Sequence, residues 1–284
     1  MHEKILIMIS NTPPQMSKIA ADTAFYKATT SYPKMFALAI VGGVSISIAF
    51  AFCITASIGS LAYGSTKVLG GVVFSLGLIL CVILGAELFT SSVLSVISRV
   101  SKKIDTPKML KHWSVVYCGN FVGALFFVLL IFVGKSYLLA DGQWGLYVLK
   151  MAQHKLSHNF MQALVLGILA NLMVCVAVWM SYAGKTLTDK ILVMILPVAM
   201  FVALGFEHSI ANMFLIPMAI AIQYFAEPEF WIIINISPEQ FSELTMLDFI
   251  TKNLIPVTIG NIIGGAVFIG LTFWAIFLNK SNVK

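Results

Sequence analysis

Leu84-Gly85-Ala86-Glu87-Leu88-Phe89-Thr90-Ser91 and, 120 residues later, Leu204-Gly205-Phe206-Glu207-His208-Ser209-Ile210-Ala211 decide how this chain folds. Each places a glycine and a glutamate in the middle of an apolar run. An ionisable group at membrane depth is costly and marks a functional position by default. The glycine lets the chain leave a helix. Each stretch therefore predicts a helix that stops, loops and restarts within the membrane. Such backbone survives there only against protein or a polar cavity. Eight residues before each glycine stand Gly77 and Pro197, two further helix breakers.

A second matched pair lies further on. Gly119-Asn120-Phe121-Val122-Gly123-Ala124 parallels Gly260-Asn261-Ile262-Ile263-Gly264-Gly265. Small residues at this spacing let helices approach closely. Two motifs in the same order in both halves argue for an internal repeat of a span, a broken span and a Gly-Asn-x-x-Gly span. Three spans per repeat force the halves to insert upside down relative to each other. Inverted repeats are a transporter architecture, with the substrate near the midplane at the repeat interface.

The surroundings fit this reading. Of 284 residues, 59% are hydrophobic and 11% are charged, against about 25% charged in a soluble domain. Six spans are expected, at about 35–57, 67–100, 109–133, 160–182, 187–222 and 249–278. They make one all-α membrane domain over 35–278, with half-repeats at about 35–133 and 160–278. An N-terminal segment, 1–34, precedes it and a tail, 279–284, follows. Within that segment, residues 14–34 read as an amphipathic helix with Met16, Ile19, Ala20 and Thr23 on one side, a surface anchor or a gate.

The net charge of +6 does not indicate nucleic acid, because no basic face or stacking aromatics accompany it. With the N-terminus inside, 13 Lys and Arg fall in cytoplasmic segments and five outside, which places both termini in the cytoplasm. No signal peptide is expected, since Ile5–Ile9 is too short an apolar run. The four cysteines lie in apolar runs without a CxxC pair and read as core filling. His154 and His158 have helical spacing for zinc but lack a third ligand. No GxxxxGK[ST] motif is present to drive a pump, and no catalytic constellation appears. Neither an enzyme nor a cofactor is expected.

The candidate transport residues sit at the breaks. Glu87 and Glu207 face a functional reading and a structural one, in which they accept hydrogen bonds from the free N–H groups of the restarting helices. His208 has no counterpart in the first half, where Leu88 stands, and its charge responds to its surroundings near neutral pH. Thr90, Ser91, Ser209, Asn171, Asn212 and Asn261 are neutral groups able to replace a hydration shell without trapping the solute. Asn261 reads as pore-facing and Asn120 as a packing residue. Lys155, in Gln153-His154-Lys155-Leu156-Ser157-His158, would attract anions at an external mouth.

Taken together these segments resemble the formate/nitrite transporter family, in particular its formate channels, over about Phe25 to Leu278. Gly70–Leu78, Glu87–Ser91, Ala170–Cys175, Gly205–Met213 and Asn253–Asn261 carry the likeness. It implies an aquaporin-like six-helix protomer with broken second and fifth helices, a homopentamer with one pore per protomer, and a bacterial inner membrane. It also implies a pore Thr at Thr90, a central His at His208 beside Glu207, a pore Asn at Asn261 and an external Lys at Lys155. Constrictions are implied at Phe74, Leu78 and Phe201, and at Phe89 and Val174. The expected function is pH-dependent, bidirectional passage of formate and similar small anions, with His208 handling a proton. Nitrite or hydrosulfide in the same fold is the alternative, and a water or neutral-solute channel a more distant one. The family's N-terminus is expected to gate and to meet a formate-producing enzyme, although Met1–Lys18 departs from the family pattern.

Overall fold

A computed structural model describes residues 10–60 and 62–279. The first nine residues of the N-terminal segment, and the expected tail beyond Asn279, lie outside the described residues. Among those described, the chain is all helical. α1 spans Pro13–Thr29, α2 Tyr32–Ser57 and α3 Tyr63–Ile83. α4 covers Phe89–Val100, with a 3-10 turn in its middle. α5 is Thr106–Val133, α6 Gln143–Leu156 and α7 Phe160–Ser181. α8 is Leu187–Ala203, α9 Ser209–Phe225 and α10 Pro228–Ile234. α11, residues 246–277, includes two π-helical stretches, Phe249–Leu254 and Ile263–Leu271.

Among the described residues, five helices are each long and apolar enough to cross a membrane. The second and fifth expected spans are α3 with α4 and α8 with α9, each pair separated by a five-residue extended break. The two breaks are built alike. Gly85 and Gly205 both take φ +70°, the left-handed conformation that glycine adopts without strain. The N–H groups of Ala86 and Phe206 then close back onto the carbonyls of Cys81 and Phe201, a glycine-terminated helix end. Gly77 and Pro197 end nothing: α3 and α8 run through them. Gly77 is needed for space instead, since a Cβ there would press on Ala49 and Ile46.

The Gly-Asn-x-x-Gly motifs set the helix packing. A Cβ on Gly119 or Gly123 would strike the carbonyls of Phe36 and Ile40, and one on Gly260 or Gly264 those of Leu164 and Ile168. α5 thereby lies tight against α2, and α11 against α7. Equivalent residues are 128 apart in α2 and α7, 120 apart at the breaks, and 141 apart in α5 and α11. The 128-residue offset also superposes α1 on α6. Each half is therefore a surface helix followed by three membrane elements, one helix more than the motifs alone indicate.

α1 differs from its expectation. It ends at Thr29 rather than Lys34, and its buried stripe is Ser17, Ala20, Ala21, Ala24 and Ala28. Met16, Ile19 and Thr23 are only half-buried. Small side chains let α1 lie flat on the core beside α4, and Asn11 fastens its start to the carbonyls of Tyr182 (2.8 Å) and Ala183 (2.9 Å).

Candidate functional site

Each break exposes backbone that the surrounding helices satisfy. The Asn120 amide donates to the carbonyls of Ala39 (2.7 Å) and Glu87 (2.8 Å) and accepts from the Phe89 N–H (2.8 Å). Asn261 repeats this in the second half. It donates to Gly167 (2.7 Å) and Glu207 (3.0 Å) and accepts from the Ser209 N–H (2.9 Å). Both side chains are completely buried. The expected contrast between a pore-facing Asn261 and a packing Asn120 is thus absent: the two amides brace the two breaks in the same way. Asn171 is a brace as well, donating to the carbonyls of Thr90 (2.9 Å) and Asn261 (2.6 Å).

The two glutamates are also matched. Glu87 Oε2 lies 3.2 Å from Lys27 Nζ of α1 and accepts from Ser92 (3.0 Å). Glu207 Oε1 accepts from Lys155 Nζ of α6 at 2.8 Å, and its Oε2 accepts from Asn212 (2.6 Å) and Asn253 (3.1 Å). Lys27 and Lys155 occupy equivalent positions, as do Ser92 and Asn212. His112 and His158 stand at 3.7 Å and 3.6 Å from the respective carboxylates. Asn253 reaches Glu207 from a π-helical stretch of α11. Neither glutamate takes the capping role that the structural reading offered. Burial holds the His158 imidazole below its ordinary pKa, with the neighbouring Glu207 carboxylate opposing the shift in part.

Two cavities approach the breaks from opposite ends. One, of about 350 Å³, is lined by Lys67, Lys155, His154, His158, Phe74, Phe201, Glu207, His208 and Asn212. The other, of about 210 Å³, lies beneath α1 and is lined by Lys27, Lys190, Leu78, Ser91, Ser92 and His112, among others. Each is lined by two lysines, so each carries positive potential for a small anion.

Between them stand Thr90 and His208, whose Oγ1 and Nε2 are 2.9 Å apart. His208 caps α9, with Nδ1 accepting the Ala211 N–H at 3.1 Å. Nδ1 is therefore unprotonated in this arrangement, and the ring proton sits on Nε2, donated to Thr90. Phe201 stacks on the imidazole at 5.8 Å, and Phe74 meets Phe201 edge-on at 5.8 Å. Phe74 and Phe201 thus share the larger cavity with His208, whereas Leu78 lines the smaller. Phe89 and Val174 are buried and line neither cavity; Phe89 packs edge-on against Tyr117 at 4.8 Å.

Sequence reasoning missed Lys27, His112 and Asn253. Lys27 carried a signal: Lys27-Ala28-Thr29 and Lys155-Leu156-Ser157 lie 128 residues apart, each just before a membrane helix. His112 and Asn253 carried none, because their equivalence shows only through the 141-residue offset of the packed helices.

Comparison with known proteins follows the same lines. The family model described as formate/nitrite transporter matches residues 14–275. The chain is 57% identical over 272 residues to the formate channel FocA of Escherichia coli (strain K12), covering 95% of each protein. It is 50% identical over 268 residues to the formate channel FocA of Haemophilus influenzae (strain ATCC 51907 / DSM 11121 / KW20 / Rd), covering 94% of each. It superposes with a TM-score of 0.83 and 49% identity on a solved pentameric formate channel with formate bound, covering 87% of this chain and 98% of that one.

Proposed function

This chain belongs to the formate/nitrite transporter family, and on that premise we propose that it passes formate across the membrane by way of Thr90 and His208. The observation that carries the reading is the 2.9 Å contact between these two groups, at the point where both broken spans meet. Formate enters one lysine-lined cavity, is stripped of water at the Phe74–Phe201 edge, and exchanges its hydration for the His208 Nε2–H and the Thr90 hydroxyl. Crossing apolar walls as a bare anion is costly, and a proton removes that cost.

The proton cycle is tied to the start of α9. For His208 to act as an acid its ring must carry two protons, and a proton on Nδ1 displaces the Ala211 N–H from its cap. The Nε2–H bond then breaks as an O–H bond forms on formate, leaving formic acid and a neutral ring protonated on Nδ1; loss of that proton and uptake of another at Nε2 restore the cap from the Ala211 N–H. Lys155 and Glu207 set the charge beside this step.

The relatives' description as formate channels supports the substrate, and the pentameric relative supports assembly as a homopentamer. The 13-to-5 cation bias supports a plasma-membrane orientation with both termini and α1 on the cytoplasmic side. The test is formate flux against pH in proteoliposomes for His208→Asn and His208→Phe. Loss of pH dependence is expected; a pH profile equal to wild type overturns the proton role. Nitrite and hydrosulfide flux in the same vesicles sets the selectivity.

A further inference from the structure

Under α1 one buried polar group lacks a partner. His112 is completely buried, and its Nε2 makes no hydrogen bond among the described residues. The nearest carboxylate, Glu87 Oε2, is 3.7 Å away, beyond hydrogen-bond reach. Trp113 Nε1–H donates to Ser95 Oγ at 2.8 Å, and that Oγ lies 3.3 Å from His112 Nδ1. With the serine proton given to Nδ1, the neutral ring carries its own proton on Nε2.

His112 and Lys27 both line the 210 Å³ cavity. Lys27 Nζ donates to Ala86 O and to Glu87, both at 3.2 Å. An ammonium has three protons, so one remains. Lys27 and Lys190 against Glu87 leave the cavity one positive charge in excess. The internal repeat shows that this arrangement is particular to one half. The residue 141 positions after His112 is Asn253, and both its amide atoms are engaged, with Glu207 at 3.1 Å and Asn212 at 2.8 Å.

We propose that His112 Nε2–H and Lys27 Nζ together form an anion station in the α1-side cavity that holds a small monocarboxylate, formate in the first instance, at the opposite end of the path from Lys155. The station rests on the formate-channel reading and extends it to a second imidazole.

The test is formate flux in proteoliposomes of oriented protein, measured separately from each side. H112N installs the shorter residue of the other half, which does not reach the anion. H112Q keeps an N–H donor at about the same reach. For H112N, KM measured from the α1 side rises about tenfold, as for one lost hydrogen bond to a charged group, and KM from the other side is unchanged. For H112Q, KM stays within about twofold of wild type from both sides. An unchanged α1-side KM in H112N, an equal change from both sides, or a tenfold rise in H112Q overturns the proposal.

Nitrogen-15 NMR of histidine-labelled protein supplies a readout independent of flux. The signal missing from H112N is expected to shift as formate is added to wild type; a static signal overturns the station. A wild type that moves no formate from either side overturns the channel reading instead, and the shift of this signal still decides the station.

Discussion

Thr90 Oγ1 and His208 Nε2, 118 residues apart in sequence, are joined by a 2.9 Å hydrogen bond that links the two broken spans. Because Nδ1 is held by the Ala211 N–H, the imidazole donates and the hydroxyl accepts, which frees the Thr90 proton for a passing anion. Thr90→Ser keeps both functions and is expected to retain flux within about twofold, whereas Thr90→Val loses a hydrogen bond to a charged solute and is expected to fall about tenfold or more. Initial rates of formate efflux from proteoliposomes check both. Equal rates in the two variants would remove Thr90 from the path.

Asn120 and Asn261 make the same three bonds to backbone groups, two at their respective breaks and one to the helix that packs beside each. Replacing either with Ala strands a buried N–H and two carbonyls, at a cost of about 3 kcal/mol or more. Asn120→Ala and Asn261→Ala are therefore expected to lower thermal stability by similar amounts, measured by unfolding of the detergent-purified protein. Should Asn261→Ala keep full stability and lose flux, a direct contact with the solute would be the better account of Asn261.

The breaks were legible because composition exposes them. A glutamate after a glycine inside an apolar run has few explanations, and finding it twice, each time followed by Gly-Asn-x-x-Gly, leaves an inverted repeat. The partners of those glutamates were not legible. Lys27 reads as one of 13 loop cations, and its carboxylate lies 60 residues away in sequence. Gly77 and Pro197 misled for a related reason. Inside a packed membrane protein, neighbouring elements satisfy the backbone a proline frees, and a glycine answers to the helix beside it. α1 hid its buried face because that face is alanine and serine, which a search for large apolar residues passes over.

Lys155 and Glu207 form the more enclosed of the two matched ion pairs, with side-chain exposures of 11% and 0%, against 25% and 3% for Lys27 and Glu87. Removing one member of a buried pair leaves an uncompensated charge, at about 3–5 kcal/mol. Lys155→Met is expected to approach that loss, and Lys27→Met to lose less because water reaches its site. Adding Glu207→Gln to Lys155→Met is expected to restore stability without restoring flux. Unfolding temperatures of the four proteins, wild type included, decide it. A double variant as unstable as Lys155→Met would mean that lysine packing, not charge, matters.

His158 gives a pH dependence whose sign can be worked out. Burial holds its pKa below the ordinary value, with His154 and Lys155 adding to the shift and Glu207 opposing it. Between the lowered folded value and the free value of about 6.5, the unfolded chain binds more protons than the folded one at this position. Stability therefore rises with pH across that window, and the contribution present above about 6.5 is lost as acid is added. Thermal stability of wild type is expected to fall as pH drops below about 6.5, and His158→Gln, which carries no titrating ring, is expected to fall less over the same interval. The difference between the two curves isolates this residue from the other histidines. If His158→Gln follows the wild-type curve throughout, burial is not what sets the charge of this imidazole, and its 3.6 Å approach to Glu207 is then the stronger influence.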